Sequence, residues 1–183
     1  MLPFLLLVRR TLKETAQFEK SAHRPDLKAS LRAIGENLGI VALGTGMVMM
    51  TTVFFYMITA YTPTYGNSVL GFTPVQAMVV PLLVGLTNFV LLPVMGALSD
   101  KIGRRPQLLA FSGLALVSGY AALSWMVAEP SFARLLLVEL WLAFVYAGYN
   151  GAMIVHLTEI MPGNVRTTGF SLAYSLATAI FGG

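Results

Sequence analysis

The chain has 183 residues, of which 56% are hydrophobic and 11% are charged, and its formal net charge is +4. This composition is more apolar than that of an ordinary soluble domain. The absence of cysteine excludes disulfides, thiolate metal sites and cysteine nucleophiles. Because the basic residues lie in segments between apolar runs, they favour contact with a membrane surface over binding to nucleic acid.

Apolar runs of about 20 residues, the length that a helix needs to cross a bilayer, recur along the chain. They are apolar around their whole circumference rather than on one face, and therefore predict an all-α membrane protein. Residues 1–8 are too short to cross and are interpreted as the end of a preceding span. A fifth span begins near Thr168 but ends early, at Gly183. The four full spans are predicted at residues 38–62, 76–98, 107–127 and 135–157.

Basic residues are concentrated in alternate connections between the spans. Seven of the twelve Lys and Arg residues precede residue 38, three lie between the second and third spans, and Arg166 follows the fourth span. The connection at residues 66–73 has no charge, and the one around Pro130 has only Glu129 and Arg134. By the positive-inside rule, the basic connections are expected on the cytoplasmic side. Residues 9–33 are then a cytoplasmic loop, for which we expect a surface helix at the lipid headgroups.

The connection between the second and third spans contains the segment GALSDKIGRR, which begins at Gly96. Four of its ten residues are charged, so the segment must lie at a membrane surface. Gly96 permits a close helix contact, Gly103 permits a tight turn, and Asp100 can pair with a cation or a helix N-terminus. Arg104 and Arg105 supply fixed positive charges. These five residues are candidates for conformational gating, and the alternative is a simple cytoplasmic anchor.

The pattern G-x-x-x-D-[RK]-x-G-R-R in this segment resembles the cytoplasmic loop signature of the major facilitator superfamily. A second pattern, E-x-x-P-x-x-x-R-x-x-G, begins at Glu159 and includes Arg166. It resembles the loop between the tenth and eleventh helices of that superfamily, which adds both residues to the gating candidates. The stretches FFYMITAYTPTYG, YNGAMIVHLTEIMP and VRTTGFSLAYSLATAIFGG are similar to the metabolite–proton symporter family, and within it to citrate–proton symporters.

The resemblance implies the major facilitator fold, with a partial carboxyl-terminal six-helix half. Residues 1–8 would be the end of the sixth helix, residues 9–33 the central loop, and residues 34–183 the seventh to a truncated eleventh helix. It further implies proton-coupled symport of citrate or a related tricarboxylate across the cell inner membrane, with no cofactor other than the proton. The amino-terminal half would be absent, and we expect the partner of Asp100 to lie there.

Other functions remain open at this stage. The same fold could carry another small organic acid such as tricarballylate, or could serve as a membrane scaffold without transport. An enzyme is the least favoured class, because the sequence shows no nucleophile–base pair, metal cluster or phosphate-binding loop.

Polar residues inside the spans are candidates for substrate binding. In the first span, Thr45 begins a series that continues at spacings of seven, four and three, so its members share one helical face. Hydroxyl and amide groups suit a substrate with several carboxylates, because they donate hydrogen bonds without a fixed charge. For the threonines, hydrogen bonding to their own helix is an equal alternative. No Lys or Arg lies inside the full spans, so the main cationic ligands are expected in the absent half. The candidate binding residues are Thr52, Tyr56, Thr59, Tyr146, Tyr149 and Asn150.

Glu139 is a carboxyl group inside the fourth span and is a candidate proton-coupling residue, since ionisable residues within membranes are commonly functional. It lies about one turn from the end of the span. The alternative is therefore a position at the rim, where its side chain reaches interfacial water. His156, near the other end of the same span, is interpreted as a packing or interface residue.

Overall fold

The computed structural model describes residues 32, 34–163 and 165–182. The elements in this part of the chain are helices, which confirms the all-α prediction. One of them, Met57–Tyr61, is π-helical and joins two α-helices into a continuous stretch. The α-helices are α1 (Leu38–Tyr56), α2 (Thr62–Ser68), α3 (Pro74–Ile102), α4 (Arg104–Ala128), α5 (Phe132–Ile160) and α6 (Arg166–Phe181).

Four stretches are long and apolar enough to cross a membrane, namely the joined stretch Leu38–Ser68 and the helices α3, α4 and α5. The four predicted full spans are therefore confirmed, and each stretch extends beyond its predicted limits at one end or both. The first continues to Ser68, so the uncharged connection is shorter than the predicted 66–73. The predictions for residues 1–8 and for almost all of 9–33 lie outside the described residues.

Local sequence signals set the ends of the helices. At the start of α3, the Thr73 hydroxyl accepts the Gln76 N–H at 3.3 Å, while Gln76 Oε1 accepts the Thr73 N–H at 3.1 Å. At the start of α5, the Ser131 hydroxyl accepts the Arg134 N–H at 3.2 Å. Gly103 separates α3 from α4 with φ +94°, a conformation that other residues rarely adopt.

Helix α5 lies at the centre of the bundle. It packs against α3, α4 and α1, and α1 also pairs with α6. One apolar cluster, which includes Met153 and Leu157, joins α5 to α1 and α6. A second cluster, which includes Val84 and Leu142, joins α5 to α3 and the π-helical segment. Helix α4 lies at the periphery, where side chains such as Leu116 are exposed as expected for contact with lipid.

Helices α3, α4 and α5 approach closely near their charged ends. A Cβ atom added at Gly151 would lie 2.9 Å from the backbone nitrogen of Gly96, so the backbones of α5 and α3 are in contact. Gln107 of α4 is fully buried. Its Nε2 donates to the carbonyl oxygens of Met95, at 3.0 Å, and Gly148, at 2.7 Å. A single amide group therefore links all three helices.

Candidate functional site

A cavity of about 320 Å³ lies between α1, α5 and α6. Its lining is aromatic and hydroxyl-bearing and contains no charged side chain. We call it the hydroxyl cavity. Four of the six predicted binding residues line it, and three further polar residues, which the sequence did not single out, complete the set. The polar residues of the lining are Thr51, Thr52, Tyr56, Tyr146, Asn150, Tyr174 and Thr178.

Hydrogen bonds fix the orientation of the groups at the centre of this cavity. The Thr51 hydroxyl donates to Asn150 Oδ1 at 3.3 Å, and Asn150 Nδ2 donates to the Tyr146 hydroxyl oxygen at 3.2 Å. The Tyr146 hydroxyl thus accepts one bond, and its own hydrogen has no acceptor among the described residues. The network joins α1 to α5 and leaves a hydroxyl hydrogen for a ligand in the cavity.

A second cavity, of about 210 Å³, lies on the α3 side of Phe55 and Tyr146. Thr59 lines it, but the Thr59 hydroxyl donates to the backbone oxygen of Phe55 at 2.6 Å, and Thr45 bonds to its own helix in the same way. For these two residues the structure therefore shows the backbone-bonding alternative. Asn88 of α3 also lines this cavity, and its buried Oδ1 has no partner in the described part of the chain.

The expectation that Tyr149 faces the cavity is corrected by the structure. Tyr149 is buried, and its hydroxyl donates to the backbone oxygen of Met47 at 2.9 Å. This bond links α5 to α1. It also uses the only hydroxyl hydrogen of Tyr149, which leaves none to donate to a ligand. The sequence did carry a signal for Tyr174 and Thr178, which lie four residues apart and therefore on one face of α6.

At the opposite end of α3 from Thr73, Arg104 connects the two loop patterns. Its Nη1 bonds directly to the Asp100 carboxylate and donates to the Ser99 hydroxyl at 2.6 Å. Its Nε lies 3.6 Å from Glu159 Oε1. The other Glu159 oxygen lies 3.9 Å from His156 Nδ1. The charged cluster formed by Asp100, Arg104 and Glu159 therefore joins the ends of α3 and α5 to the start of α4.

Among the described residues the partner of Asp100 is Arg104. The expectation of a partner in the amino-terminal half stays a prediction. Arg105 is exposed on the first turn of α4. Arg166 donates from Nε to the backbone oxygen of Met161 at 3.3 Å, and this bond closes the turn between α5 and α6. The structure thus places Asp100 and Glu159, two of the predicted gating residues, in contact with a third, Arg104. Arg166 instead bonds within its own turn.

Glu139 lies between α5 and the joint of the first span. Its side chain is 0% exposed. The Thr62 hydroxyl oxygen is 2.8 Å from Glu139 Oε1, and Oε2 is buried without a hydrogen-bond partner in the described chain. The alternative of a rim position in contact with interfacial water is therefore wrong.

Four stretches that are long and apolar enough to cross a membrane define a multi-pass helical membrane protein, with an uncharged polar cavity between its helices and a charged cluster at one end. The sequence model of the Major Facilitator Superfamily matches residues 1–183. The chain belongs to this superfamily.

Individual relatives are transporters. The chain is 49% identical over all 183 residues to a citrate-proton symporter of Salmonella typhi, covering 42% of that protein, and 49% identical over 183 residues to one of Klebsiella pneumoniae, covering 41%. It is 32% identical over 181 residues, 97% of its length, to the alpha-ketoglutarate permease of Escherichia coli K12, covering 41% of it. The chain thus spans about two-fifths of the length of these relatives. No solved structure gives a significant match.

Proposed function

We propose that this chain is part of a secondary active transporter that carries citrate or a related tricarboxylate together with protons across the bacterial inner membrane. The observation that carries the proposal is the 49% identity to two citrate-proton symporters over the whole chain. The proton is the coupling ion, and transport of this kind uses no other cofactor. The polar groups of the hydroxyl cavity are compatible with transport, because each can form a hydrogen bond to a carboxylate without reacting with the substrate.

The chemistry of the hydroxyl cavity supports an anionic substrate with several oxygen atoms. Its lining offers hydroxyl hydrogens, among them that of Tyr146, but no cation. We propose that residues 34–183 form one wall of the substrate site and that the amino-terminal half of the complete transporter supplies the facing wall and the cationic ligands. Substrate binding between two halves near the midplane is general for transporters of this type.

The charged cluster supports a role in alternating access. Residues 9–33 are proposed to form the cytoplasmic loop between the two halves, with residues 1–8 as the end of the helix before it. The cluster of Asp100, Arg104 and Glu159 then lies on the cytoplasmic side, where it holds α3, α4 and α5 together in the conformation observed.

A second candidate substrate is another small organic acid. The 32% identity to an alpha-ketoglutarate permease favours this alternative over a scaffold without transport, because that relative is itself a permease. Counterflow of labelled citrate against a panel of unlabelled di- and tricarboxylates distinguishes the two substrates. A scaffold would give no counterflow with any of them.

Tyr146→Phe tests the hydroxyl cavity as a citrate site. The substitution removes the hydroxyl that accepts from Asn150 and leaves the ring in place. A hydrogen bond to a charged group contributes about 1.5–3 kcal/mol, so we expect the KM for citrate to rise about tenfold or more. The measurement is the initial rate of citrate uptake by the complete transporter in proteoliposomes.

Tyr120→Phe is the matched control. Tyr120 is 82% exposed on the outer face of α4, and removal of its hydroxyl should leave the KM unchanged. An unchanged KM in Tyr146→Phe would show that the substrate does not use this cavity. A similar rise in both variants would show a general effect of losing a tyrosine hydroxyl.

A further inference from the structure

The buried carboxyl group of Glu139 faces an irregular joint in the first membrane-crossing stretch. The joint consists of the π-helical segment Met57–Tyr61 and the first residues of α2, including Pro63. Proline lacks a backbone N–H and disturbs the regular helical bonding pattern, and π-helical turns occur frequently at functional sites. Glu139 and Thr62 are both buried where α5 meets this joint.

The two hydrogen bonds at the Thr62 hydroxyl need two hydrogens, of which Thr62 supplies one and an ionised Glu139 supplies none. The Thr62 hydroxyl oxygen lies 2.9 Å from the Met57 carbonyl oxygen and 2.8 Å from Glu139 Oε1. A hydroxyl group has a single hydrogen, and both a carbonyl and a carboxylate only accept. Both contacts are satisfied when Glu139 carries a proton, because the carboxylic acid then donates to Thr62 and Thr62 donates to Met57.

The surroundings of Glu139 also favour the neutral form. The residues packed there form the apolar cluster that includes Val84 and Leu142. An isolated charge in such surroundings is strongly disfavoured unless a cation or several donors compensate it. The unpartnered, buried Oε2 shows that further donors are not provided by the described residues.

Other charged groups of the adjoining elements lie away from Glu139 or have partners. Residues 38–68 carry no charge, and their titratable side chains nearest the joint are Tyr61 and Tyr65. The charges of α3 and α4 lie at the opposite end of the bundle. On α5, Arg134 forms an ion pair with Glu129 and stacks on a tryptophan ring, and Tyr146 lies two turns further along.

We propose that Glu139 is a proton-binding site whose proton keeps the Thr62 hydroxyl bonded to the Met57 carbonyl and so fixes the joint of the first span. When the proton leaves to water, the Thr62 hydroxyl donates to the carboxylate instead of to the Met57 carbonyl, which loses that hydrogen bond. Thr62 stays bonded to Glu139, while the joint is free to change its own hydrogen-bonding pattern and with it the direction of the span beyond it. The inference rests on the proposed function in assigning this proton to the transport cycle.

The protonation of Glu139 can be measured without any transport. Infrared difference spectra of the complete transporter, wild type minus Glu139→Gln, should show the carbonyl band of a protonated carboxylic acid at neutral pH. Thr62→Val should retain the band but shift its frequency, because the acid loses its acceptor. Glu129→Gln is the matched control, since this carboxylate is exposed near the same end of the bundle and should give no such band.

Glu139→Gln also separates proton coupling from movement of substrate. The amide preserves the donor to Thr62 but cannot release a proton, so the ratio of proton-driven citrate uptake to citrate counterflow should fall about tenfold or more. A wild-type ratio in Glu139→Gln, or the absence of the infrared band, would overturn the inference. A band without any citrate transport by the wild type would retain the proton site and overturn the proposed function.

Discussion

Asp100→Asn is expected to reduce substrate uptake by the complete transporter about tenfold or more, with the protein still present in the membrane. Asp100 is the direct partner of Arg104, which also contacts Glu159. Exposed ion pairs contribute little to folding, so the amount of protein should change little. The loss of the pair instead destabilises the conformation in which α3, α4 and α5 are joined, and this shifts the balance between the states that alternate during transport.

Lys101→Gln is the matched control for Asp100→Asn. Lys101 lies in the same loop segment and is exposed, so its loss changes the local charge without removing the contact with Arg104. Uptake by Lys101→Gln should remain close to that of the wild type, at equal amounts of protein in the membrane. Normal uptake by Asp100→Asn would show that this loop only anchors the chain at the membrane surface.

Gly151→Val is expected to lower the free energy of unfolding by about 1–3 kcal/mol, a typical cost of inserting atoms into a packed interface. A Cβ atom at this position would lie 2.9 Å from the backbone nitrogen of Gly96, and it would also lie 3.0 Å from Met95 Cβ. Backbone atoms cannot move aside as a flexible side chain can. The valine must therefore separate α3 from α5, close to the link that Gln107 makes between them.

The measurement for Gly151→Val is the midpoint temperature of unfolding of the detergent-solubilised transporter. Gly113→Val is the matched control, because a Cβ atom at Gly113 of α4 meets nothing within 4 Å. The control should unfold at nearly the wild-type temperature. Equal midpoints for both variants would contradict the close contact between α3 and α5.

The positions of the spans could be predicted because a run of about 20 apolar residues is visible directly in the sequence. The end of the first span could not. The predicted limit at residue 62 directly precedes Pro63, a residue type that commonly ends helices. In the structure the helix continues to Ser68 because the π-helical segment Met57–Tyr61 accommodates the change in hydrogen bonding.

The residues of the hydroxyl cavity were predictable only in part. Thr52 and Tyr56 could be assigned to one face because they are four residues apart. Tyr149 and Asn150 are adjacent and point about 100° apart on a helix, and periodicity does not decide which of them faces the cavity; in the structure Tyr149 bonds to Met47 instead. The pairing of Thr51 with Asn150, separated by 99 residues, depends on how α1 and α5 are rotated and packed, which periodicity does not specify.

Proton-driven citrate uptake by the complete transporter in proteoliposomes tests the central claim most directly. We expect labelled citrate to accumulate when the external solution is more acidic than the interior, and a protonophore should abolish that accumulation. Uptake no greater than that of protein-free liposomes, or uptake that does not depend on the proton gradient, would contradict the account.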